Sequence, residues 1–209
     1  MELAVYNLAG KETGRKVSLK DDLFASEPND HAIWLDVKQF LANNRQGTSK
    51  TKQRNEVHGS TRKLHKQKGT GGSRKGSIKN PLFRDGGRIF GPQPRDYHFK
   101  LNKKLKRVAR RSAISYVVKQ ERLTVVEDFN FEAPKTKAFV SFLKSFNVDN
   151  KKVLLVLPDA VGNVYLSSRN IPSANVISAS ELNTYEVMDA ERVIMAESTL
   201  PVVENLLSF

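Results

Sequence analysis

The 209-residue sequence contains no cysteine, which excludes disulfides, thiolate metal sites and thiol nucleophiles and makes a reducing cytosol the simplest compartment. Nowhere do eighteen apolar residues run together, and the N-terminus, Met1-Glu2-Leu3-Ala4-Val5-Tyr6, has no basic stretch ahead of a long apolar one. The expectation is a chain that is neither exported nor membrane-spanning. Acids are scarce in one region. Between Arg45 and Arg111 stand 21 of the 35 Lys/Arg residues but only Glu56, Asp85 and Asp96 of the 22 acids, a net charge of +18, while the other 142 residues carry −5.

A mildly acidic body with one intensely basic stretch reads as a binding arm on a folded scaffold, because ordinary solvated faces mix their signs. From Arg45 to Lys100 the apolar residues are sparse and aperiodic, and nine of the twelve glycines fall there. Such a segment cannot build a core and needs a partner to order it. If residues 47–100 leave the body and return, each limb has about 26 residues and an extended limit of roughly 85–90 Å. An anionic membrane is the weaker partner, since glycines and prolines interrupt every would-be amphipathic helix from Gly59 to Pro94. Duplex DNA is weaker too, with no recognition helix, zinc-finger spacing or zipper in the segment.

Gly69-Thr70-Gly71-Gly72-Ser73-Arg74-Lys75-Gly76-Ser77 looks at first like a phosphate-binding loop. It lacks the Gly-Lys-Ser/Thr order, has Arg74 where a dinucleotide fingerprint needs glycine, and has neither the strand before it nor the apolar helix after it that such motifs require. His31, His58, His65 and His98 have no ligand spacing, so no metal and no cofactor is expected. Glu127-Asp128 at a strand end reads as capping or solvation. No catalytic constellation emerges, and the expectation is a protein that is not an enzyme.

The body reads as α/β. Leu3–Tyr6 is a strand, Gly10 and Gly14 are turn residues, and Val17–Leu19 is a possible returning strand. Asn29 or Asp30 caps a helix to Asn43 with Ile33, Val37, Phe40 and Leu41 on its apolar face. After the basic segment, Leu101, Leu105, Val108, Ala109, Ser112, Ala113 and Tyr116 make one helical stripe, with Lys103, Lys104, Lys106, Arg107, Arg110 and Arg111 opposite. Then strands at 123–126, 153–157, 175–178 and 192–195 alternate with helices at 136–146, 161–167, 180–186 and 198–207. Phe139, Phe142, Leu143 and Phe146 form a core-facing stripe. This alternation predicts a single domain with a central, mostly parallel sheet flanked by helices and interrupted by the long basic loop.

Lysines and arginines spaced along a glycine-rich backbone can neutralise phosphates on both sides while the chain threads between them, which suits a crowded, folded RNA. Phe83, Phe90, Tyr97 and His65 alternate with Arg84, Arg88, Arg95 and Lys66. They can stack on bases or fold back on the body. Phe90-Gly91-Pro92-Gln93-Pro94-Arg95-Asp96-Tyr97 fixes a bend.

Arg45-Gln46-Gly47-Thr48, Gln67-Lys68-Gly69-Thr70-Gly71, Gly76-Ser77-Ile78, Gly86-Gly87, Phe90-Gly91-Pro92, Pro94-Arg95-Asp96-Tyr97 and Leu101-Asn102-Lys103-Lys104 together resemble the L-four family of large-subunit ribosomal proteins in its bacterial form. The resemblance implies a ribosomal protein of the cytoplasm with an α/β body at 1–46 and 101–209 and an rRNA-binding loop at 47–100. It implies binding to large-subunit rRNA early in assembly, with neighbouring ribosomal proteins and the nascent polypeptide as further partners. Charge and resemblance together assign rRNA contact to Arg45, Gln46, Thr48, Lys50, Lys52, Arg54, Arg62, Lys63, Lys66, Gln67, Lys68, Gly69, Thr70, Gly71, Arg74, Lys75, Ser77, Lys79, Arg84, Arg88, Arg95, Tyr97, Lys103, Lys104, Arg107 and Arg111. The resemblance also implies a tip lining the peptide exit tunnel, at His65, Lys66, Lys68, Gly69, Thr70, Gly72 and Arg74. Two departures fall at that tip, where bacterial relatives carry tryptophan in place of His65 and a basic residue in place of Gly72. The competing readings are a free-standing RNA or DNA regulator and a phosphate-handling enzyme.

Overall fold

The computed structural model describes residues 1–208. Its sheet has six strands: β1 (Glu2–Tyr6), β2 (Glu12–Ser18), β3 (Leu123–Val126), β4 (Val153–Leu157), β5 (Ala174–Ser178) and β6 (Arg192–Ala196), in the order β2-β1-β3-β6-β4-β5. Only the β1–β2 pair is antiparallel. The helices are α1 (Asp21–Phe24), α2 (Asp30–Asn43), α3 (Lys103–Lys119), α4 (Thr136–Ser145), α5 (Gly162–Ser168), α6 (Thr184–Asp189) and α7 (Thr199–Leu207). The expected α/β class with a mostly parallel sheet is what is observed.

Strand β4 is hydrophobic and buried at every position, and β3 and β6 nearly so, because helices cover both faces of the sheet. Alternate residues feed two separate cores. Leu154 and Val156 of β4, with Val193 and Met195 of β6, pack beside Ile114 and Val117 of α3 and Leu200, Val203 and Leu207 of α7. Val153, Leu155 and Leu157, with Ile194 and Ala196, pack beside Phe139, Phe142 and Leu143 of α4 and Val164 of α5. Phe129, Phe131, Phe139, Phe142 and Phe146 form a chain of ring contacts with centroids 5.1–6.5 Å apart. The helical stripe expected over Phe139–Phe146 is therefore packing, each fully buried ring contributing about 1.5–3 kcal/mol.

Several local expectations need correction. Gly10 (φ +73°) closes a turn in which the Asn7 side-chain oxygen accepts from the Ala9 and Lys11 amides, but Gly14 lies inside β2, which starts at Glu12 rather than Val17. Gly14 falls where the β1–β2 register slips between Ala4 and Tyr6, and the irregularity hides the alternation that marks a strand. In α2 the Asn29 side chain caps the Ala32 amide at 3.0 Å. The buried positions, however, are Ala32, Ile33, Asp36 and Gln39, while Leu41 is exposed and Val37 only half-buried. Asp36 is held by the Thr184 hydroxyl at 2.5 Å, and Phe40 stacks on Tyr185 of α6, so α2 packs through a polar seam that an apolar pattern misses. The helix expected at 180–186 is a 3-10 turn, Ala179–Glu181, followed by α6, whose first turn is capped by Asn183.

The chain divides into two compact units, residues 1–41 with 100–209, and residues 42–99.

Candidate nucleic-acid interface

Residues 44–102 contain no helix or strand. With too few apolar groups for a core, the unit 42–99 holds itself by backbone hydrogen bonds between its outgoing and returning limbs. The Arg95 amide donates to the Gly47 carbonyl at 3.1 Å, Thr51 to Pro92 at 3.0 Å, Arg88 to Lys52 at 3.0 Å and Leu64 to Gly76 at 3.1 Å. A run of turns closes 77–87, Asn80 donating to Ser77, Phe83 to Asn80, Gly86 to Phe83 and Gly87 back to Lys79. At the base the Phe99 amide donates to the Asn43 side chain at 3.2 Å.

Two glycines let the limbs approach this closely. Gly47, at φ +64°, has no room for a side chain, since a Cβ there would sit 2.0 Å from the Arg95 carbonyl oxygen, and at Gly87 one would sit 2.3 Å from the Arg54 nitrogen. The Tyr97 ring fills the space beside Gly47, with the guanidiniums of Arg45 at 3.7 Å and Arg95 at 4.5 Å from its centroid. The hydrogen bond from Arg95 first, and the charge of Arg45 with it, hold the Tyr97 phenol below its ordinary pKa. Tyr97 is thus half-buried between two cations, a rigid plate rather than a loose loop aromatic.

Cations dominate what this unit shows to solvent. Of its Lys/Arg residues only Lys50 makes an ion pair among the described residues, with Glu56 at 2.6 Å. Glu56 also accepts from the Gln53 amide, and its carboxyl is held below the usual range, chiefly by Lys50 and then by that amide. Lys52, Arg54, Arg62, Lys63, Lys66, Lys68, Arg74, Lys75, Arg84, Arg88 and Arg95 are exposed, and Lys79 is half-buried. Lys63 reaches the Gln67 side chain, and Lys75 lies 5.8 Å from the Phe83 ring centroid. Clefts open between the limbs. One of about 910 Å³ is lined by Arg54, Lys79 and Arg88 with Gln53, Asn55, Thr61 and Asn80. A second, of about 890 Å³, is lined by Thr51, Phe83, Arg84, Arg88 and Phe90. A third, of about 710 Å³, is lined by Arg45, Gln46, Thr48, Arg95 and Tyr97. Cations and amides on concave walls fit phosphate and sugar oxygens, and the amide side chains of the first cleft carry no charge signal by which a reading of the sequence would find them.

The remaining candidates scatter. Ser77 is buried at 5% exposure, inside the turn network. Phe90 is 99% exposed, Phe83 half-buried, and His65 half-buried with a buried, unpartnered Nδ1. Gly69 and Gly71 take positive φ, and Gly69, Gly71, Gly72 and Gly76 stand in open space. In the other unit, Lys103 and Lys104 are exposed on the first turn of α3 and Arg107 is half-buried. Arg111 turns inward, donating to the Leu207 carbonyl at 3.3 Å. Glu127 is tied to Arg15 at 2.7 Å, Arg15 also reaches Glu197, and Asp128 accepts from the Ser198 amide and hydroxyl. The strand-end acids therefore join ion pairs and a cap. No metal-binding group of acids and histidines occurs among the described residues.

Comparison with known proteins adds an independent line. The model of the ribosomal protein L4/L1 family matches residues 17–206. The large ribosomal subunit protein uL4 of Bacteroides fragilis is 58% identical over 207 residues, covering 99% of this chain and 100% of the relative. The uL4 proteins of Parabacteroides distasonis, 59% identical over 98% of both chains, and Flavobacterium psychrophilum, 58% identical over the full length of both, are similar to the same degree.

Proposed function

The chain belongs to the ribosomal protein L4/L1 family, and from that premise we propose that it is a structural constituent of the large ribosomal subunit whose residues 47–100 grip large-subunit rRNA. It is a component of cytoplasmic ribosomes and not an enzyme. The observation that carries the RNA reading is the arm's free charge: exposed cations along two hydrogen-bonded limbs, with one internal ion pair among them. Binding to phosphates releases condensed counterions, so such a surface gains affinity in proportion to the cations it places. The clefts at Arg54–Arg88 and Arg45–Tyr97 hold RNA segments between the limbs, and Lys103, Lys104 and Arg107 on α3 add cations from the body.

The arm's turn-rich, glycine-pinned structure is held by hydrogen bonds between its limbs and has no apolar core, so RNA packed against it adds to its order. We assign the protein to the early steps of assembly, as its resemblance to the family implies. The tip, His65–Arg74, carries Lys66, Lys68 and Arg74 in the open with Gly69, Thr70 and Gly72. We assign it to the wall of the peptide exit tunnel, facing the nascent polypeptide.

The test is a deletion of residues 50–98. The Phe99 amide donates to the Asn43 side chain, so residues 44–49 can close as a short loop when Ser49 is joined to Phe99. The shortened protein is expected to stay folded by circular dichroism but to bind rRNA more weakly. Its log K against log salt should flatten by roughly 0.7–0.9 for each phosphate that the arm no longer neutralises. Unchanged affinity and slope would overturn the reading.

A further inference from the structure

Helix α2 has an outward face that its packing does not explain. His31, Trp34, Lys38 and Leu41 recur at the i, i+3, i+7 and i+10 positions of one helical stripe. Trp34 and Leu41 are 53% and 49% exposed, although the same helix buries Ala32, Ile33, Asp36 and Gln39 on its other side. Trp34 is the single tryptophan of the chain. Its ring is held rather than loose: the His31 imidazole stacks on it at 5.9 Å and 22°, and the Lys38 ammonium lies 4.5 Å from its centroid. A large ring left half in water and braced by two basic side chains is poorly suited to an apolar protein surface, because docking there would strip water from Lys38 without an acid to receive it. The nearest acids on the helix are engaged, Asp30 by the Tyr116 hydroxyl at 2.6 Å and Asp36 by Thr184.

We propose that Trp34 is a nucleobase-stacking site and that Lys38 contacts the adjoining phosphate, an RNA contact on the helix that precedes the basic segment. A base offers a flat π surface that can replace His31 on the ring, and a phosphate satisfies Lys38. This inference rests on the rRNA-binding reading above and adds a site of a different chemical kind, one that works by stacking as well as charge.

The experiment uses the full-length protein, large-subunit rRNA and the intrinsic fluorescence of Trp34. Added rRNA should quench the emission, whereas heparin, a polyanion without bases, should compete for the cationic arm without comparable quenching. Trp34→Ala should weaken rRNA binding roughly 5- to 100-fold, the range expected for one stacked base, with the salt slope unchanged because no charge is removed. Trp34→Phe should recover most of that affinity. Lys38→Gln should instead flatten the slope by about 0.7–0.9. Melting temperatures of all three variants should match the parent, since these side chains are outside the core. If rRNA binds tightly but Trp34 emission and the Trp34→Ala affinity do not change, the stacking site is overturned while the arm reading stands. A blue shift without quenching, seen only when other ribosomal proteins are added, would overturn it in favour of a protein contact. Failure of the full-length protein to bind rRNA at all would remove both.

Discussion

An alanine at Gly47 meets two obstacles together: a positive φ of +64° that L side chains rarely adopt and a Cβ position 2.0 Å from the Arg95 carbonyl oxygen. Relief requires the limbs to part just where Tyr97 sits between Arg45 and Arg95. Gly72, at an ordinary φ with no atom within 4 Å of its would-be Cβ, tolerates the same change. Gly47→Ala is therefore expected to cut rRNA affinity at least tenfold through misplacement of the arm's base, while Gly72→Ala stays within about twofold and neither shifts thermal unfolding of the body. Filter binding and a melting curve on both variants check the contrast, and equal affinities would show that the close approach of the limbs is not needed. The sequence marks both positions only as glycine. What separates them, a close approach between residues 48 positions apart in the chain, is visible only once the limbs are paired.

At the scale of elements, α3 begins badly for an isolated helix. Its first turn carries Lys103 and Lys104, with Lys106 and Arg107 following, no acid, and an Asn102 cap whose side chain makes no capping hydrogen bond. Cations next to the positive end of the helix dipole cost about 0.3–1 kcal/mol each. The arrangement makes sense as a surface kept ready for phosphate, where dipole and cations add. Lys103→Glu should consequently raise the melting temperature by about 1–3 °C and at the same time weaken rRNA binding and flatten its salt dependence. A variant that gained stability and kept its full affinity would remove α3 from the interface. This helix also shows how much of the fold is legible in the sequence. Its presence, the later β/α alternation and the Phe139–Phe146 stripe follow from periodicity, because an apolar core imposes a regular period on the residues that face it, although α3 runs on to Lys119 and buries Ile114, Val117 and Val118 beyond the stripe read from Leu101 to Tyr116. The packing of α2 does not, because Asp36, hydrogen-bonded to Thr184, and Gln39 occupy core positions, and a pattern of apolar residues then points to Val37 and Leu41 instead. The full length of β2 is hidden for a related reason: it is a polar edge strand with an irregular register, so neither hydrophobicity nor alternation announces it.

At the scale of the molecule, the segregation of charge decides how the parts divide their work. The segment from Arg45 to Arg111 carries +18 and the rest −5, so the chain as a whole attracts a polyanion and steers its approach to the basic segment. Within that segment the base and the tip have different duties. Near the base, glycines are crowded, Tyr97 is clamped and Lys50 is paired, features that set geometry. At the tip, Lys66, Lys68 and Arg74 are exposed, unpaired among the described residues, and flanked by glycines in open space, so substitutions there leave the arm's own structure undisturbed. Replacing these three side chains by alanine should leave folding intact and large subunits assembled in normal amount, since many cations remain to hold the RNA. The tunnel wall that the tip is proposed to form then gives up three positive charges at its surface. Susceptibility to tunnel-binding antibiotics should shift severalfold in cells carrying only the variant, alongside a normal sedimentation profile. Normal susceptibility with normal assembly would detach the tip from the tunnel and leave it as one more phosphate-binding stretch. A fall in assembled subunits would instead assign Lys66, Lys68 and Arg74 to the grip on RNA that the clefts between the limbs are proposed to supply.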